Sequence, residues 1–565
     1  MSAKPLASRD GHRRHPSTPK AAEDRRPGRP GFPWWTAGLL AGVWLYTWFG
    51  IEPVLRYHRT APVFFWGADF LSGHLARPGG LLEYAAAMLA QLDARGALGA
   101  FVTTGAIGLL GLGVACLLRL GAGGLRSLAW LPGLLWLVLE GRYEFSVLAP
   151  GLGVVLAAIL GAIWRLVAGR LVGFWGLVFG GVAVGLWWAG GFWICLPWVA
   201  IGVAGELASR TAWGKGLGRS WLAMTAARGH WGWDAAVVGV GAAVVAVTLD
   251  RDLKRLTQIE ACAAGGQWDR VLELAEGRPL GVAPEIRLAI HRALYHAGRL
   301  NKDLFAFPQR KPLDVLPSMR EGWKACEPLS DTLLELGQVN LAEHMAHEAL
   351  ELGGERARVL WQLARINVLL GRAEAARVFL NRMRRIPFHG AAAERRLLAL
   401  DRDPTLAAEE DIARVRAFRV TTDYAGSGVP TEVLLRQCLR ANGRNRMAAE
   451  FLMAHYLLTG QMDLIAQHLG IWDDLGQWET PRHIEEALVA YGASQPGTPL
   501  PLGGRRIGPE PLRRFAAFQG VLRENDGRLP ESRPRLARDF GDTFWFYHVY
   551  GHTGAADPGV APRRQ

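Results

Sequence analysis

Residues 98–118 have the sequence LGAFVTTGAIGLLGLGVACLL, which contains no charged side chain. A helix that crosses a bilayer needs about 20 mostly apolar residues, because lipid offers no hydrogen-bond partners to open backbone groups. This stretch therefore predicts a membrane-spanning α-helix. Comparable stretches before and after it predict an integral membrane protein that crosses the bilayer several times.

The apolar stretches predict about seven spans. The run 171–207 is too long for a single crossing, and Gly190-Gly191 provides a turn that divides it. The expected spans are 34–51, 98–118, 125–139, 145–164, 171–188, 191–207 and 234–249.

Composition changes near Asp250, which indicates the main domain boundary. Seventeen of the 23 tryptophans precede it, and the chain after it is charged and rich in Leu, Ala and Arg. The expected class is all-α: a polytopic helix bundle followed by a water-soluble helical tail. The predicted regions are a disordered basic tail (1–33), the transmembrane domain (34–249), a helical-repeat domain (250–493), a linker with a C-terminal aromatic cap (494–552) and a disordered tail (553–565).

The basic residues favour one orientation in the membrane. Residues 1–33 carry eight basic and three acidic side chains and do not form a cleavable signal sequence. If this segment is cytoplasmic, the positive-inside rule places three basic loops on the same side. Those loops contain Arg119 and Arg126, Arg165 and Arg170, and Arg210, Lys215, Arg219 and Arg228. We therefore expect a multi-pass protein of the cytoplasmic (inner) membrane with its tail outside the cytoplasm.

The net charge of +13 does not indicate nucleic-acid binding. A nucleic-acid interface needs its basic residues clustered on one face. The clusters here flank apolar stretches, where membrane orientation explains them better. The lipid bilayer is thus an expected partner, and nucleic acid is not.

The tail contains two segments that align with a period of 34 residues. LWQLARINVLLGRAEAARVFL surrounds Gly371, and PLSDTLLELGQVNLAEHMAHEAL surrounds Gly337. In each segment an apolar helix ends at the glycine and a second helix begins within about five residues. This pattern predicts tetratricopeptide-like helix pairs, stacked because one pair cannot bury its apolar face alone. The alternative is an irregular helical bundle.

No catalytic, metal or cofactor motif is evident. Nucleophile-elbow, phosphate-loop, dinucleotide and HExxH signatures do not occur. His344, His347 and Glu348 share one helix face but lack a further ligand, so a solvated face is the better interpretation. Cys262 and Cys326 are either buried thiols or, in an extracytoplasmic tail, a disulfide. We expect no cofactor and no bound metal.

The outer loop 52–97 is the best place to look for chemistry. It contains Asp69, Glu83 and Asp93, and Glu140 and Arg142 lie at another outer span end. Polytopic sugar transferases that use lipid-linked donors often carry acidic residues in their first outer loop. The five residues are therefore candidate catalytic groups, although a salt-bridged turn and an interfacial helix explain them better.

Three further stretches share a resemblance. They are RPGGLLEYAAAMLAQLDARGALGA (Arg77–Ala100), GGQWDRVLELA (Gly265–Ala275) and FGDTFWFYHVYG (Phe540–Gly551). Together they resemble a bacterial, Bacteroidetes-type family of uncharacterised multi-pass membrane proteins, a domain of unknown function. The resemblance implies a membrane half, a helical-repeat tail and no established reaction. It also implies two groups of signature residues: Pro78, Gly79, Gly80, Glu83, Tyr84 and Gln91 in the loop, and Phe540, Gly541, Thr543, Trp545, Tyr547 and Tyr550 near the C-terminus.

Two functions are compatible with this organisation. The first is a non-enzymatic scaffold, in which a concave surface of stacked helices binds a protein or peptide partner beside the membrane. The second is a membrane group transferase, glycosyltransferase-like, that uses the acidic loop residues and a lipid-linked donor. A cavity at the outer leaflet that gathers two or more of those acids would favour the enzyme.

Overall fold

Apolar and amphipathic segments alike fold as helices in this protein. The computed structural model describes ten segments of the chain, and within them there is no β-strand, only an isolated bridge between Arg310 and His552. The predicted all-α class is therefore confirmed. The described segments are 34–117, 126–144, 146–167, 174–210, 231–277, 283–311, 313–318, 321–422, 428–497 and 499–556.

The N-terminal half, which we call the membrane half because it holds the apolar helices that could span a bilayer, contains nine α-helices among the described residues. They are α1 (Trp34–Leu45), α2 (Pro53–Arg59), α3 (Ala68–Leu75), α4 (Gly80–Ala90), α5 (Gly96–Leu117), α6 (Leu131–Glu140), α7 (Leu148–Val167), α8 (Phe174–Arg210) and α9 (Trp231–Thr248). A π-helical turn, Tyr46–Ile51, follows α1, and a 3₁₀ turn, Gln91–Arg95, joins α4 to α5.

The prediction of about seven spans is wrong for the described part of the chain. Two helices there are long and apolar enough to cross a membrane, Gly80–Leu117 and Val182–Ile201. A third is added if Trp35–Ile51 and Pro53–Arg59, bent by 51°, count as one span. The apolar helix Leu131–Glu140 has only 10 residues, about 15 Å at 1.5 Å per residue, roughly half of the hydrocarbon thickness. Hydropathy alone did not reveal how short such helices are.

Several sequence predictions fall partly or wholly outside the described residues. The basic tail 1–33, the loop arginine Arg119, the loop residues 211–230 and most of the C-terminal tail 553–565 are among them. The predicted turn at Gly190-Gly191 is described: α8 has a non-helical backbone at Gly191 (φ 58°, ψ −146°). The helix is thus interrupted where the glycine pair stands.

Small residues allow the membrane helices to pack closely. An added Cβ at Gly113 would lie 3.1 Å from the Ala158 Cβ, so α5 and α7 approach each other at these positions. An added Cβ at Gly111 would lie 3.2 Å from the Trp130 ring. Close helix approach at glycine is the usual basis of helix association in lipid.

A new helix begins directly after Asp250, the residue near which the composition of the chain changes. The Asp250 side chain accepts a hydrogen bond from Leu253 N at 2.8 Å and so caps the first tail helix, α10. Eighteen α-helices follow the boundary in the described residues. They are α10 (Arg251–Ala264), α11 (Trp268–Ala275), α12 (Pro284–His296), α13 (Leu300–Asp303), α14 (Cys326–Leu336), α15 (Val339–Gly353), α16 (Ala357–Leu369), α17 (Ala373–Arg384), α18 (Gly390–Arg402), α19 (Glu410–Phe418), α20 (Thr431–Ala441), α21 (Arg446–Thr459), α22 (Met462–Gln467), α23 (Ile471–Asp474), α24 (Arg482–Ser494), α25 (Pro509–Glu524), α26 (Leu529–Phe540) and α27 (Phe544–Tyr550).

Consecutive tail helices pack against each other around one apolar core. Gly337 ends α14 with φ 89°, and an added Cβ there would lie 2.0 Å from the Phe418 carbonyl oxygen. Gly371 follows α16 with φ 77°. Both glycines take the left-handed conformation that terminates a helix and turns the chain back.

The loop between the first two membrane segments fastens the tail to the membrane half. Its extended segment 61–66 lies along the tail, where Trp66 N donates to the Arg385 carbonyl at 2.8 Å. Phe65 packs in an apolar cluster with Leu360 and Met383 of the tail. Lys254 of α10 pairs with Glu52 of the loop at 2.7 Å. The two halves are therefore joined by apolar, backbone and ionic contacts.

Candidate functional site

A concavity lies between this loop and the inner face of the tail. Two adjoining cavities of about 450 and about 350 Å³ share Ala263, Ala264, Arg292 and Arg358 in their walls. We call the two cavities together the junction groove. Its size falls within the range of natural ligand pockets, about 300–1,000 Å³.

Alternate tail helices each supply one face to the groove. In α12 the lining residues are Glu285, Ala289 and Arg292, spaced by four and three positions. Spacings of three or four positions recur in α14, which contributes Glu327, Asp331 and Glu335, and in α16, which contributes Arg358, Trp361 and Arg365. Residues at such spacing share a helix face. The groove is thus the polar face of helices whose opposite faces form the core.

The loop 52–97 closes the groove on the side of the membrane half. Residues 57–64 line the larger cavity. Tyr57 OH lies 3.2 Å from His389 Nε2 of the tail, and Gln91 Nε2 donates to the Pro62 carbonyl at 2.9 Å. The first contact ties the segment to the tail, and the second ties it to the membrane half. The larger cavity lies between the segment and the tail.

Positive and negative side chains balance in the groove. Leaving the two histidines aside, the walls contain seven basic and seven acidic side chains. The basic ones are Arg59, Arg292, Lys324, Arg356, Arg358, Arg365 and Arg414. The acidic ones are Glu144, Glu260, Glu285, Glu327, Asp331, Glu335 and Asp411.

Most of these charges form ion pairs across neighbouring elements. Arg59 of the loop pairs with Glu260 of α10 at 3.4 Å, and Arg365 pairs with Asp411 at 2.9 Å. Lys324 and Glu285 differ, since neither has an ion-pair partner within 4.0 Å among the described residues. These two side chains remain available to a ligand.

The pKa values of two groove carboxyl groups move in opposite directions. Burial raises the pKa of Glu260, and the Glu285 carboxylate adds to the effect while Arg59 opposes it. Burial would also raise the pKa of Glu335, but Arg292 and His296 together lower it to about 2. Glu335 is therefore fully ionised at neutral pH.

Two of the five sequence-predicted catalytic residues lie close together. Asp93 and Glu140 converge on the guanidinium of Arg56, which lies 2.9 Å from Asp93 Oδ1 and in direct contact with Glu140 Oε1. All three side chains are buried, and Trp136 Nε1 donates to Glu140 Oε1 at 2.9 Å. We call this cluster the buried triad.

The other three candidates lie elsewhere. Asp69 is exposed and pairs with Arg385 at 3.5 Å, and Glu83 is half-buried on a helix next to Arg77. Arg142 is exposed. The cavity beside the buried triad measures only about 20 Å³, which holds a single water and no sugar.

The described segments contain neither a candidate metal site nor a disulfide. No group of three or more His, Cys, Asp or Glu side chains there could hold a metal ion. His347 instead contacts the Phe379 ring, with 6.3 Å between ring centres. Cys262 and Cys326 are free thiols, the first half-buried and the second buried.

The loop signature residues occupy a crowded position. Gly79 has φ 84°, and an added Cβ would lie 3.2 Å from Gly191 Cα; its N–H donates to the Trp188 carbonyl at 2.9 Å. At Gly80 an added Cβ would lie 1.8 Å from the His74 carbonyl oxygen. Pro78 precedes this turn, and Tyr84 packs edge-on against Phe64 with ring centres 5.1 Å apart. Glycine is thus required where α4 begins beside α8.

The C-terminal signature residues fasten the last helices to the array. Thr543 caps α27 by accepting from Phe546 N, and Trp545 Nε1 donates to the Glu486 carbonyl at 2.7 Å. Tyr547 OH donates to the Leu458 carbonyl and Tyr550 OH to the Leu529 carbonyl, both at 2.9 Å. Phe540 and Gly541 end α26, where an added Cβ on the glycine would lie 2.3 Å from the Ala537 carbonyl oxygen. These contacts are structural ones, distant from the groove.

Sequence reasoning missed the groove residues. Arg59, Lys324 and Trp361 were not singled out, because a charged helix face is usually a solvated one. One signal was present: the charged residues of α14 and α16 recur at helical spacing, in segments already recognised as aligned. No sequence pattern indicated that this helix face lies opposite residues 57–64.

These features define a class: an all-helical protein in which a loop of an apolar, membrane-compatible half holds a helical tail and encloses a charged groove. The chain belongs to a family of unknown function (DUF6057), whose model matches residues 31–224 and 217–551. Comparison with curated proteins and with solved structures finds no match. The predicted membership of an uncharacterised family is thereby confirmed.

Proposed function

We propose that this protein is a membrane-anchored helical scaffold that holds a peptide segment of a partner protein in the junction groove. The groove itself carries the proposal: its two cavities share wall residues and are open to solvent, and the larger one is lined by both halves of the molecule. A concave face built from successive helices is the usual peptide-binding surface of helical arrays.

The balanced charge of the groove selects a peptide over other ligands. A peptide offers backbone donors and acceptors together with side chains of either sign, and seven basic and seven acidic groups match such mixed polarity. Trp323 and Trp361 add apolar surface for its side chains. Nucleic acids and pyrophosphate-linked donors are strongly anionic and would need a net positive wall.

The proposal includes a tetratricopeptide-like tail on the extracytoplasmic side of a bacterial inner membrane. Gly337 and Gly371, 34 residues apart, both follow a first helix with positive φ, which supports a repeated hairpin. The arginine-rich N-terminal segment supports the orientation. A reporter fused after Gln565 that is active only in the cytoplasm would overturn this topology.

A group transferase is the second candidate. The observation that favours it is the convergence of Asp93 and Glu140 beside the outer loop. Both carboxylates are engaged by Arg56, and the adjacent space of about 20 Å³ admits no sugar, so the scaffold is the better supported function. Loss of a transfer activity in Glu140→Gln at unchanged stability would reverse that order.

The scaffold is tested by photo-crosslinking of the full chain in its own membranes. A photoreactive amino acid replaces Trp323, which is 39% exposed at the groove, and in the control it replaces Trp478, which is 78% exposed and lines neither cavity. We expect a discrete protein adduct from the first position and none from the second.

A charge change then connects the adduct with the groove. Lys324→Glu should lower its yield several-fold, because it alters the one basic groove side chain without an ion partner among the described residues. Arg402→Glu, on an exposed helix end outside the groove, makes the same charge change as a control. Adducts unaffected by Lys324→Glu, or equal in yield at both crosslinking positions, would refute peptide binding in the groove.

A further inference from the structure

An exposed aromatic residue with a strained backbone lies close to the start of a membrane span. Phe388 stands in the turn between α17 and α18 with φ 66°, and 49% of its surface is exposed. Positive φ is a genuine outlier for a bulky residue. Such strain persists only where the surroundings enforce it and often marks a functional contact. Packing within this chain does not account for it, since half of the ring is uncovered.

The position of Phe388 relative to the membrane follows from its neighbour Arg95. The Arg95 guanidinium lies over the Phe388 ring, 5.3 Å from its centre, and Gly96 begins α5 directly afterwards. Exposed apolar side chains on α5 begin at Leu98 and continue at Phe101, which is 68% exposed. Helix α5 has 22 residues, about 33 Å, which matches the hydrocarbon thickness. A bilayer crossed by α5 would thus have its headgroup level at Phe388, on the side of the tail.

A second exposed aromatic residue stands beside it. Trp66 is 54% exposed, and its backbone N–H donates to the Arg385 carbonyl three residues before Phe388. Arg95 is itself exposed and takes part in no ion pair among the described residues. Aromatic rings and arginine are the side chains enriched where protein meets the headgroup region.

We propose that Trp66, Arg95 and Phe388 form a contact surface that seats the tail on the phospholipid headgroups of the adjacent leaflet. The two rings insert at the headgroup level, and the Arg95 guanidinium binds lipid phosphate. This contact fixes the tail, and with it the junction groove, at a constant height above the bilayer. It is independent of what the groove binds.

The depth of these side chains is measurable with spin labels in nanodiscs that contain the full chain. The parent carries alanine at Cys116, Cys195 and Cys262, and single labels are placed through Phe388→Cys, Trp66→Cys and, as the control, Trp478→Cys. We expect the ratio of oxygen to nickel-chelate collision rates to be several-fold higher at 388 and 66 than at 478. Circular dichroism of each variant verifies its helix content.

Two further measurements show whether lipid headgroups cover this surface. Arg95→Gln should lower the ratio at 388, and adding anionic lipid to zwitterionic nanodiscs should raise it in the parent but much less in Arg95→Gln. A ratio at 388 and 66 equal to that at 478 would overturn the proposal. So would a label that is protected in native membranes and fully water-accessible in nanodiscs, since a protein partner would then cover the surface.

Discussion

The loop 52–97 has two sides that differ in how tightly they are filled. Towards the membrane half, Arg56 is buried between two carboxylates, and Gly79 lies so close to Gly191 that a methyl group has no room. Towards the tail, residues 57–64 leave a cavity of about 450 Å³. The loop is therefore packed tightly against the membrane half, whereas its other side leaves open space next to the tail.

The largest expected effect comes from Arg56 in the buried triad. Arg56→Met leaves Asp93 and Glu140 buried without their shared cation, and we expect a loss of about 3–5 kcal/mol of stability. The free energy of unfolding of the full chain in mixed detergent micelles, followed by circular dichroism, measures the loss. It comes mainly from the stranded acids, because an unpaired buried charge costs more than the ion pair contributes.

A triple variant tests this reason directly. Arg56→Met combined with Asp93→Leu and Glu140→Leu removes every charge of the triad and should recover most of the lost stability. A triple variant as unstable as Arg56→Met would show that packing around Arg56, and not the stranded charges, dominates. The filled and the open side of the loop would then differ in packing density and not in buried charge.

The next effect concerns the glycine contact on the same side. Gly79→Ala places a methyl group 3.2 Å from Gly191 Cα at φ 84°, and we expect it to cost about 1–3 kcal/mol. Gly73→Ala is the matched control, since nothing lies within 4 Å of an added Cβ in helix α3. That change should be neutral or stabilise by up to about 1 kcal/mol. Equal effects of the two substitutions on the unfolding free energy would contradict the close contact.

The fold was predictable where local composition decides it, and the site was not. The helical class follows from hydropathy and from the helical periodicity of the tail. The span count failed, because an apolar run such as Leu131–Glu140 does not reveal how short its helix is. Asp93 and Glu140 were recognised as candidates, but their partner Arg56 was not. The groove needs contacts between residues 57–64 and helices more than 200 residues later, which no local pattern encodes.

The smallest effect belongs to the open side and depends on pH. Because Arg292 and His296 hold the pKa of Glu335 at about 2, below its ordinary 4.5, the group adds stability above pH 4.5 that is lost as the pH falls towards 2. The partly exposed pair is worth about 0.5–1 kcal/mol. Unfolding free energies of the full chain between pH 6 and pH 2 should fall less in Glu335→Gln.

Glu260→Gln provides the contrast, because burial raises the pKa of Glu260 and favours its protonated form in the folded state, so its contribution weakens as the pH rises. If both substitutions shift the pH profile in the same direction, Glu260 and Glu335 have the same electrostatic environment. The ion pair of Glu335 with Arg292 then does not set it apart from Glu260.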